Sequence, residues 1–336
     1  MRRLAPSCLA LVALAATPAA VAAHGSEVPP PPTLADILWA WSSDPLLWLP
    51  VILVGTGYLA AVRRVNAAHP SNPVPRRRTA AFLTGLAVIA LALGSVIGRY
   101  DTVLFSVHMV QHVLLTLVAA PLLALGAPIT LLLRVVRPDV RRSHLLPILH
   151  GRVVRGLSHP VVAWLLFAAV MWATHLSPMF DAALENPLVH YAEHALYLGS
   201  ALLFWLPVVG ADPAPWRLSF PVRTMYLLTQ MPQNTFLALA ITSADSPRYP
   251  HYATLQRTWG PTPLADQQLA GGVMWIAGDL LFLVAIVAVV AAWMRHEERT
   301  AADADRRADA ARAAIGGRAE ALAERRRREG AGDQPG

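Results

Sequence analysis

The segment FSVHMVQHVLL, residues 105–115, places His108, Met109, Gln111 and His112 inside a long apolar run. A second segment, HYAEHALYL from residue 190, carries His190, Glu193 and His194. In each, two imidazoles stand four residues apart. On a helix that spacing stacks them on one face, roughly 5–6 Å apart. Two such rings can share a metal ion or line one cavity. His175 is a fifth histidine in an apolar run, and Met109, Met231 and Met274 supply thioethers. Imidazole with thioether and no thiolate suits copper, Cu(I) above all. The candidate metal ligands are therefore His108, His112, His175, His190, His194, Met109, Met231 and Met274. Gln111, Glu193, Asp266, Gln267 and Asp279 are the polar residues that would support them. The competing reading is a set of hydrogen bonds between helices, His to Gln or Glu, that fixes packing. Met109 adjoins His108, so it points about 100° away from it, toward lipid.

The elements that position these residues follow from the apolar pattern. The chain has 336 residues and is 55% hydrophobic. Runs of about 18 or more apolar residues predict transmembrane helices. They fall at 45–62, 79–98, 102–125, 159–177, 188–209, 224–242 and 266–294. The expected fold is an all-α, polytopic membrane helix bundle of about seven spans after a cleavable signal-like segment. The boundaries are a signal peptide at 1–23, an extracytoplasmic segment at 24–44, the helical domain at 45–295 and a charged cytoplasmic tail at 296–336. In the third span Pro121 frees the carbonyl of Leu117. GAP at 126–128 ends that span and leaves 129–136 along the inner interface. In the sixth, Pro232 frees the carbonyl of Leu228 beside Gln230, Gln233 and Asn234. Gly271 and Gly278 in the seventh allow close helix approach. Asp279 near mid-membrane needs a partner or a proton.

Charge fixes the orientation. All 28 basic residues are arginine. The loops 63–78 and 134–156, the residues Arg217 and Arg223, and the tail from Arg295 hold 23 of them, against Arg99, Arg248 and Arg257 on the other side. By the positive-inside rule the N-terminus is extracytoplasmic and the tail cytoplasmic, in a bacterial plasma membrane. The five histidines then share one depth, in the outer half of the bilayer. The net charge of +7 reflects this orientation, and nucleic-acid binding has no support. The tail lacks an apolar stripe and has i,i+4 pairs such as Asp303/Arg307 and Glu324/Arg328, so it is a solvated helix or disordered. Its RRRR at 325–328 could touch anionic lipid.

The start has Arg2 and Arg3, an apolar stretch and small residues at Ala20, Ala22 and Ala23, as a secretory signal does. The only cysteine, Cys8, lies there. A cleaved chain has no thiol, which excludes disulfides, zinc–thiolate sites and cysteine nucleophiles. Cleavage after Ala23 would expose His24, whose amine and imidazole could chelate Cu(II). Zinc-protease, nucleophile-elbow and phosphate-loop motifs are absent, which argues against a hydrolase.

Three segments, HMVQHVLLTLVAAPLLALGAP (108–128), HYAEHALYLGSALLFWLPVVG (190–210) and DQQLAGGVMWIAGDLLFL (266–283), resemble the membrane CtaG family of cytochrome c oxidase assembly factors. The resemblance runs from about residue 36 to 295. It implies a non-enzymatic membrane protein needed to build a haem–copper oxidase, through copper delivery or copper-site maturation. The implied partners are oxidase subunits and extracytoplasmic copper chaperones. By motif, His108, Met109, Gln111, His112, His175, His190, His194, Met231, Asp266, Gln267, Met274 and Asp279 match the family's intramembrane polar positions. An unrelated single-span copper chaperone with a cysteine pair shares the family's name, and a thiol-free chain does not match it. Two other functions compete. One is a copper transporter across the membrane, the other a b-haem redox protein ligated by paired histidines.

Overall fold

The computed structural model describes residues 28–331, with side chains to Leu322. The signal-like segment, Cys8, His24 and the side chains of the 325–328 arginine run lie outside the described residues. Every element in the described residues is helical. In chain order they are α1 (Leu34–Trp39), α2 (Pro45–Ala68), α3 (Arg76–Gly94), α4 (Val96–Tyr100) and α5 (Phe105–Val113). A wide π-helical segment, Leu114–Ala119, leads into α6 (Ala120–Leu125) and α7 (Pro128–Val135). Short pieces follow: α8 (Pro138–Val140), a second π turn (Arg141–Leu145), α9 (Leu146–Leu149) and α10 (Arg152–Leu157). Then come α11 (Pro160–His175), α12 (Met179–Glu185), α13 (Pro187–Val209), α14 (Phe220–Thr242), α15 (Pro250–Thr254) and α16 (Pro263–Ala331).

The start signals are local. Asp44 caps α2 by accepting from the Leu46 amide at 2.8 Å, and Pro45 follows it. Asn186 caps α13 by accepting from Leu188 at 2.9 Å, again just before a proline. Proline suits the first helical turn because its missing amide would have had no partner there. The long helices match the seven apolar runs closely in position. Five of the described helical runs are long and apolar enough to cross a bilayer: Pro45–Ala68, Arg76–Tyr100, Phe105–Val135, Pro187–Val209 and Pro263–Leu322. A sixth is the pair α11 and α12, bent by 69°. The apolar pattern alone predicts seven. α14 has the length, but Arg223, Gln230, Gln233 and Asn234 dilute its apolar character. The protein is thus a multi-pass membrane protein with five or six crossings by length and composition alone. Rows of exposed Leu, Ile and Val, such as Leu46, Leu49, Ile52 and Leu53 on α2, form the lipid-facing exterior.

The run α5–π–α6 is the axis of the bundle. Met109, Leu117 and Ala120 join a core built with α11, α13, α14 and α16. Leu115, Ala119 and Leu123 join a second core with α2, α3 and α7. The π register changes which carbonyl proline leaves open. The Ala120 amide bonds to the Leu115 carbonyl, five residues back. In that register Pro121 orphans the carbonyl of Thr116 and not that of Leu117. The Trp205 indole of α13 donates to it at 2.8 Å, so a buried acceptor is satisfied by a neighbouring helix.

At GAP the helix is interrupted, yet α7 follows on closely enough that Phe105–Val135 forms one candidate span instead of ending at 125. Ala127 adopts φ 50°, a left-handed conformation costly for a residue with a Cβ. Its neighbours hold it there. The Tyr58 hydroxyl donates to the Gly126 carbonyl at 2.8 Å. Asp212 caps α7, accepting from Ile129 at 3.1 Å and from Thr130 at 2.6 Å. The tail continues α16 as one unbroken helix to Ala331, with side chains exposed from Met294 to Leu322. Its ion pairs are i,i+3, Asp303 with Arg306 and Asp309 with Arg312.

Candidate metal centre

Five histidines from three helices meet at one end of the bundle. All are buried: His108, His112, His175, His190 and His194. The His108 and His112 rings lie 4.1 Å apart by centroid, and those of His190 and His194 4.2 Å. His108 reaches His190 at 5.7 Å, and His112 reaches His175 at 5.6 Å. The i,i+4 pairs therefore face each other across α5 and α13, with α11 closing one side.

Two groups of three donors could each hold a metal ion. Asp101, His190 and His194 place donor atoms within 4.8 Å of one another, as do His108, His112 and Glu193. The His108 Nε2 sits 3.9 Å from Glu193 Oε2, with both side chains fully buried. His190 Nε2 sits 3.7 Å from Asp101 Oδ2. Both ring nitrogens of His108 and of His112 lack a hydrogen-bond partner. A neutral imidazole always carries one N–H donor and one lone pair. Four buried nitrogens without partners fit a metal-binding cluster better than a set of packing hydrogen bonds.

The surroundings fix two of the tautomers. The Gln111 amide donates to the Ala92 carbonyl at 3.0 Å and to Asp101 at 2.7 Å. Its oxygen therefore faces His194 Nε2, 2.9 Å away, which must be the donor. The lone pair of His194 is left on Nδ1, which has no partner. His175 Nδ1 lies 2.7 Å from the Met171 carbonyl, which can only accept. Its Nε2 keeps the lone pair, again without a partner. A histidine that donates one N–H to a carbonyl or amide oxygen and offers the other nitrogen is the usual posture of a metal ligand.

Two cavities flank the cluster. One of about 100 Å³ is lined by Ser42, Asp44, Asp101, Gln111, His190 and His194 among others. The other, about 30 Å³, is lined by His112, His175, Met109, Met171 and Met274, with Thr116, Gln233, Asn234 and apolar side chains completing the wall. Above the rings an aromatic cover excludes water. Phe105, Phe180, Tyr249 and Tyr252 pack edge to face or stacked, and Phe180 sits 4.9 Å from His108. Tyr249 donates to the His175 carbonyl at 3.0 Å, and Tyr252 to the Asp101 carbonyl at 2.6 Å. The loop before α16 is thereby tied over the site.

The structure separates the remaining sequence candidates by role. Met109 is buried and lines the thioether cavity instead of facing lipid. Met109 joins the core shared with α11 and α16, so the direction away from His108 leads to those helices. Met274 lines the same cavity, whereas Met231 packs against the core and lines neither cavity. Glu193 accepts from the Tyr197 hydroxyl at 3.3 Å beside His108. Asp266 caps α5, accepting from the Phe105 amide at 2.6 Å and the Ser106 hydroxyl at 2.5 Å. Gln267 ties a loop, accepting from Arg248 at 2.7 Å and donating to Ile241 at 3.0 Å. Asp279 accepts from Asn234 at 3.2 Å and Thr235 at 2.9 Å, joining α16 to α14. These three position helices and lie outside both donor groups. Asp101, Met171, Thr174 and Tyr197 escaped the sequence reading. Met171 had a signal, since it stands four residues before His175. Asp101 had none, because it precedes the apolar run that contains its partners.

Comparison with known proteins agrees with this architecture. The family described as cytochrome c oxidase caa3 assembly factor (Caa3_CtaG) matches residues 56–296. An uncharacterized protein of Mycobacterium bovis is 36% identical over 294 residues, covering 85% of this chain and 44% of its own length. An uncharacterized protein of Mycobacterium leprae is 33% identical over 296 residues, with the same coverage of 85% and 44%. The chain thus spans less than half the length of these curated relatives. No solved structure matches it. A family match over most of the chain, running through all three histidine-bearing helices, places this protein among the cytochrome c oxidase caa3 assembly factors.

Proposed function

We propose that this protein holds copper at its buried histidine cluster and passes it to a subunit of a haem–copper oxidase during assembly. The observation that carries this reading is the set of unpartnered ring nitrogens on His108 and His112, enclosed with three further histidines and three thioethers. Cu(I) is the favoured ion, because imidazole and thioether are its preferred neutral donors. The role is non-catalytic: the donors are arranged to bind and release an ion, and copper is cargo. All seven long helices cross the plasma membrane, α14 included, with its Gln233, Asn234 and Thr235 hydrogen-bonded inside the bundle. The arginine distribution sets the N-terminus outside and the tail in the cytoplasm. The cluster then opens toward the extracytoplasmic side, where oxidase copper centres and soluble copper chaperones would meet it.

The transporter reading needs a polar path to the other end of the bundle. Trp172 donates to Gln233 at 2.6 Å, and Asn234 and Thr235 are held by Asp279. These pairings engage the polar side chains nearest the cluster and weigh against that path. A haem reading fails on space, since cavities of about 100 and 30 Å³ have no room for a porphyrin.

The test is genetic and analytical. In cells lacking the gene, oxidase activity and oxidase copper should fall when copper is scarce. Fully copper-loaded, active oxidase in those cells would overturn the proposal. In purified protein, His108→Ala/His112→Ala should carry less copper than wild type. Equal copper in both would remove these residues from the site.

A further inference from the structure

The histidine cluster is not one site but two neighbouring ones of different character. We infer that the protein binds two metal ions at once. The outer site takes a borderline divalent ion such as Cu(II), and the inner site a soft monovalent ion such as Cu(I). This inference rests on the copper-binding reading above and adds the number, order and kind of ions.

Three observations carry it. First, the donors divide without overlap into Asp101, His190 and His194 on one hand and His108, His112 and Glu193 on the other. Like-charged ions repel, and the two groups are separate enough to hold one ion each, with the His108 and His190 rings 5.7 Å apart. Second, the cavities differ in chemistry. The larger one, about 100 Å³, touches only the first group and carries Asp44, Asp101 and Gln111 on its wall. The smaller one, about 30 Å³, touches His112 but neither His108 nor Glu193, and adds His175, Met109, Met171 and Met274 beside Gln233 and Asn234. Carboxylate with imidazole favours a divalent ion, and imidazole with thioether favours Cu(I). Third, Phe180 of the aromatic cover packs on His108 of the second group, 4.9 Å away. The larger cavity reaches the first group and not the second, so an ion arriving through it meets the first group before the second.

The rings form an unbroken series inward. Centroid steps run from His190 to His108 at 5.7 Å, to His112 at 4.1 Å and to His175 at 5.6 Å. Each step is short enough for an ion to exchange one imidazole for the next without passing through hydrocarbon. No electron transfer is required of the protein. An ion reaching the inner site as Cu(I) is retained there, and a divalent ion stays in the outer site.

Two probes separate the sites: Cu(II), read by electron paramagnetic resonance, and Ag(I), a redox-inert stand-in for Cu(I), read by elemental analysis. Purified wild type should take up one equivalent of each together. His190→Gln/His194→Gln should lose the Cu(II) signal at least tenfold and keep Ag(I). His112→Gln/Met274→Leu should lose Ag(I) at least tenfold and keep Cu(II). Retention of the other ion shows that each variant is folded. A wild-type total of one ion overturns the two-site inference and leaves the copper reading standing. So does loss of both ions from a variant whose unfolding midpoint is that of wild type. Absence of any bound ion in wild type sinks both.

Discussion

Gln111 does more than fill space between helices. Its amide binds Ala92 and Asp101, and its oxygen orients His194. Gln111→Leu preserves volume and removes all three bonds. Leaving buried partners without their bonds costs about 1–3 kcal/mol. Loss of an orienting partner weakens metal binding by about 10–100-fold. Thermal unfolding and copper titration of the purified variant should show both effects. Unchanged copper affinity would mean that His194 needs no orienter. At this scale the sequence was informative about chemistry and poor about partners. The i,i+4 spacing placed His108 with His112 and His190 with His194 on shared faces. It could not show that Met109 lines a cavity with His112, because that required knowing where α11 and α16 pack. Asp266 was read as a companion of the metal ligands, yet its carboxylate bonds backbone 160 residues away. No local pattern encodes such a partner.

At the scale of elements, the histidine helix depends on a cap supplied by another helix. Asp266 of α16 holds the first two amides of α5, so Asp266→Ala should destabilise the fold by about 0.5–2 kcal/mol. Asp266→Asn, which keeps one acceptor, should cost less. Chemical denaturation in detergent ranks the three proteins, and equal midpoints would deny the cap its role. The junction at Gly126 is tighter. A Cβ there would lie 2.7 Å from Phe82 Cβ, too close for contact and not relieved by a rotamer change. Phe82 is also stacked on Tyr58 at 3.9 Å. Gly126→Ala should cost about 1–3 kcal/mol through overpacking, read as a lower unfolding midpoint. The small helix α1 offers a pH handle. The Thr33 hydroxyl and amide beside Asp36 hold its carboxyl below the usual range. A depressed carboxyl stabilises its helix above the ordinary pKa near 3.9. That support is lost as pH falls through the lower folded value. Pepsin, normalised to an unstructured peptide, should spare residues 34–39 at pH 4 and cut them at pH 2. Asp36→Asn should be cut equally at both, and protection of the variant at pH 4 would refute the capping role.

At the scale of the whole molecule, the sequence located the long helices well because each apolar run is far longer than chance allows. The number of crossings is less legible in composition. α14 is too polar to be scored as a span on composition, and α11 with its 16 residues completes its passage only with the bent α12. Both depend on neighbours for burial, which composition does not register. In a version lacking Cys8, single cysteines at Ser143 and Ser246 should react with an impermeant reagent from opposite sides of the membrane. Reaction from the same side would remove a crossing between them. The tail, exposed from Arg295 to Leu322, should be dispensable for folding. Ending the chain after Glu298 should change stability by no more than about 0.5 kcal/mol.

The π segment between His112 and Pro121 has a consequence for how this helix can vary. One extra residue per turn acts as a phase shift of about 100° between the two halves of α5–α6. The upstream half addresses the histidines of α13, and the downstream half addresses α3 and Gly126. Because the offset sits between them, either half can be tuned without rotating the other. Deleting Val118 would erase the offset. His108 and His112 would stay in place, while Leu123 and Gly126 would swing out of register with Phe82.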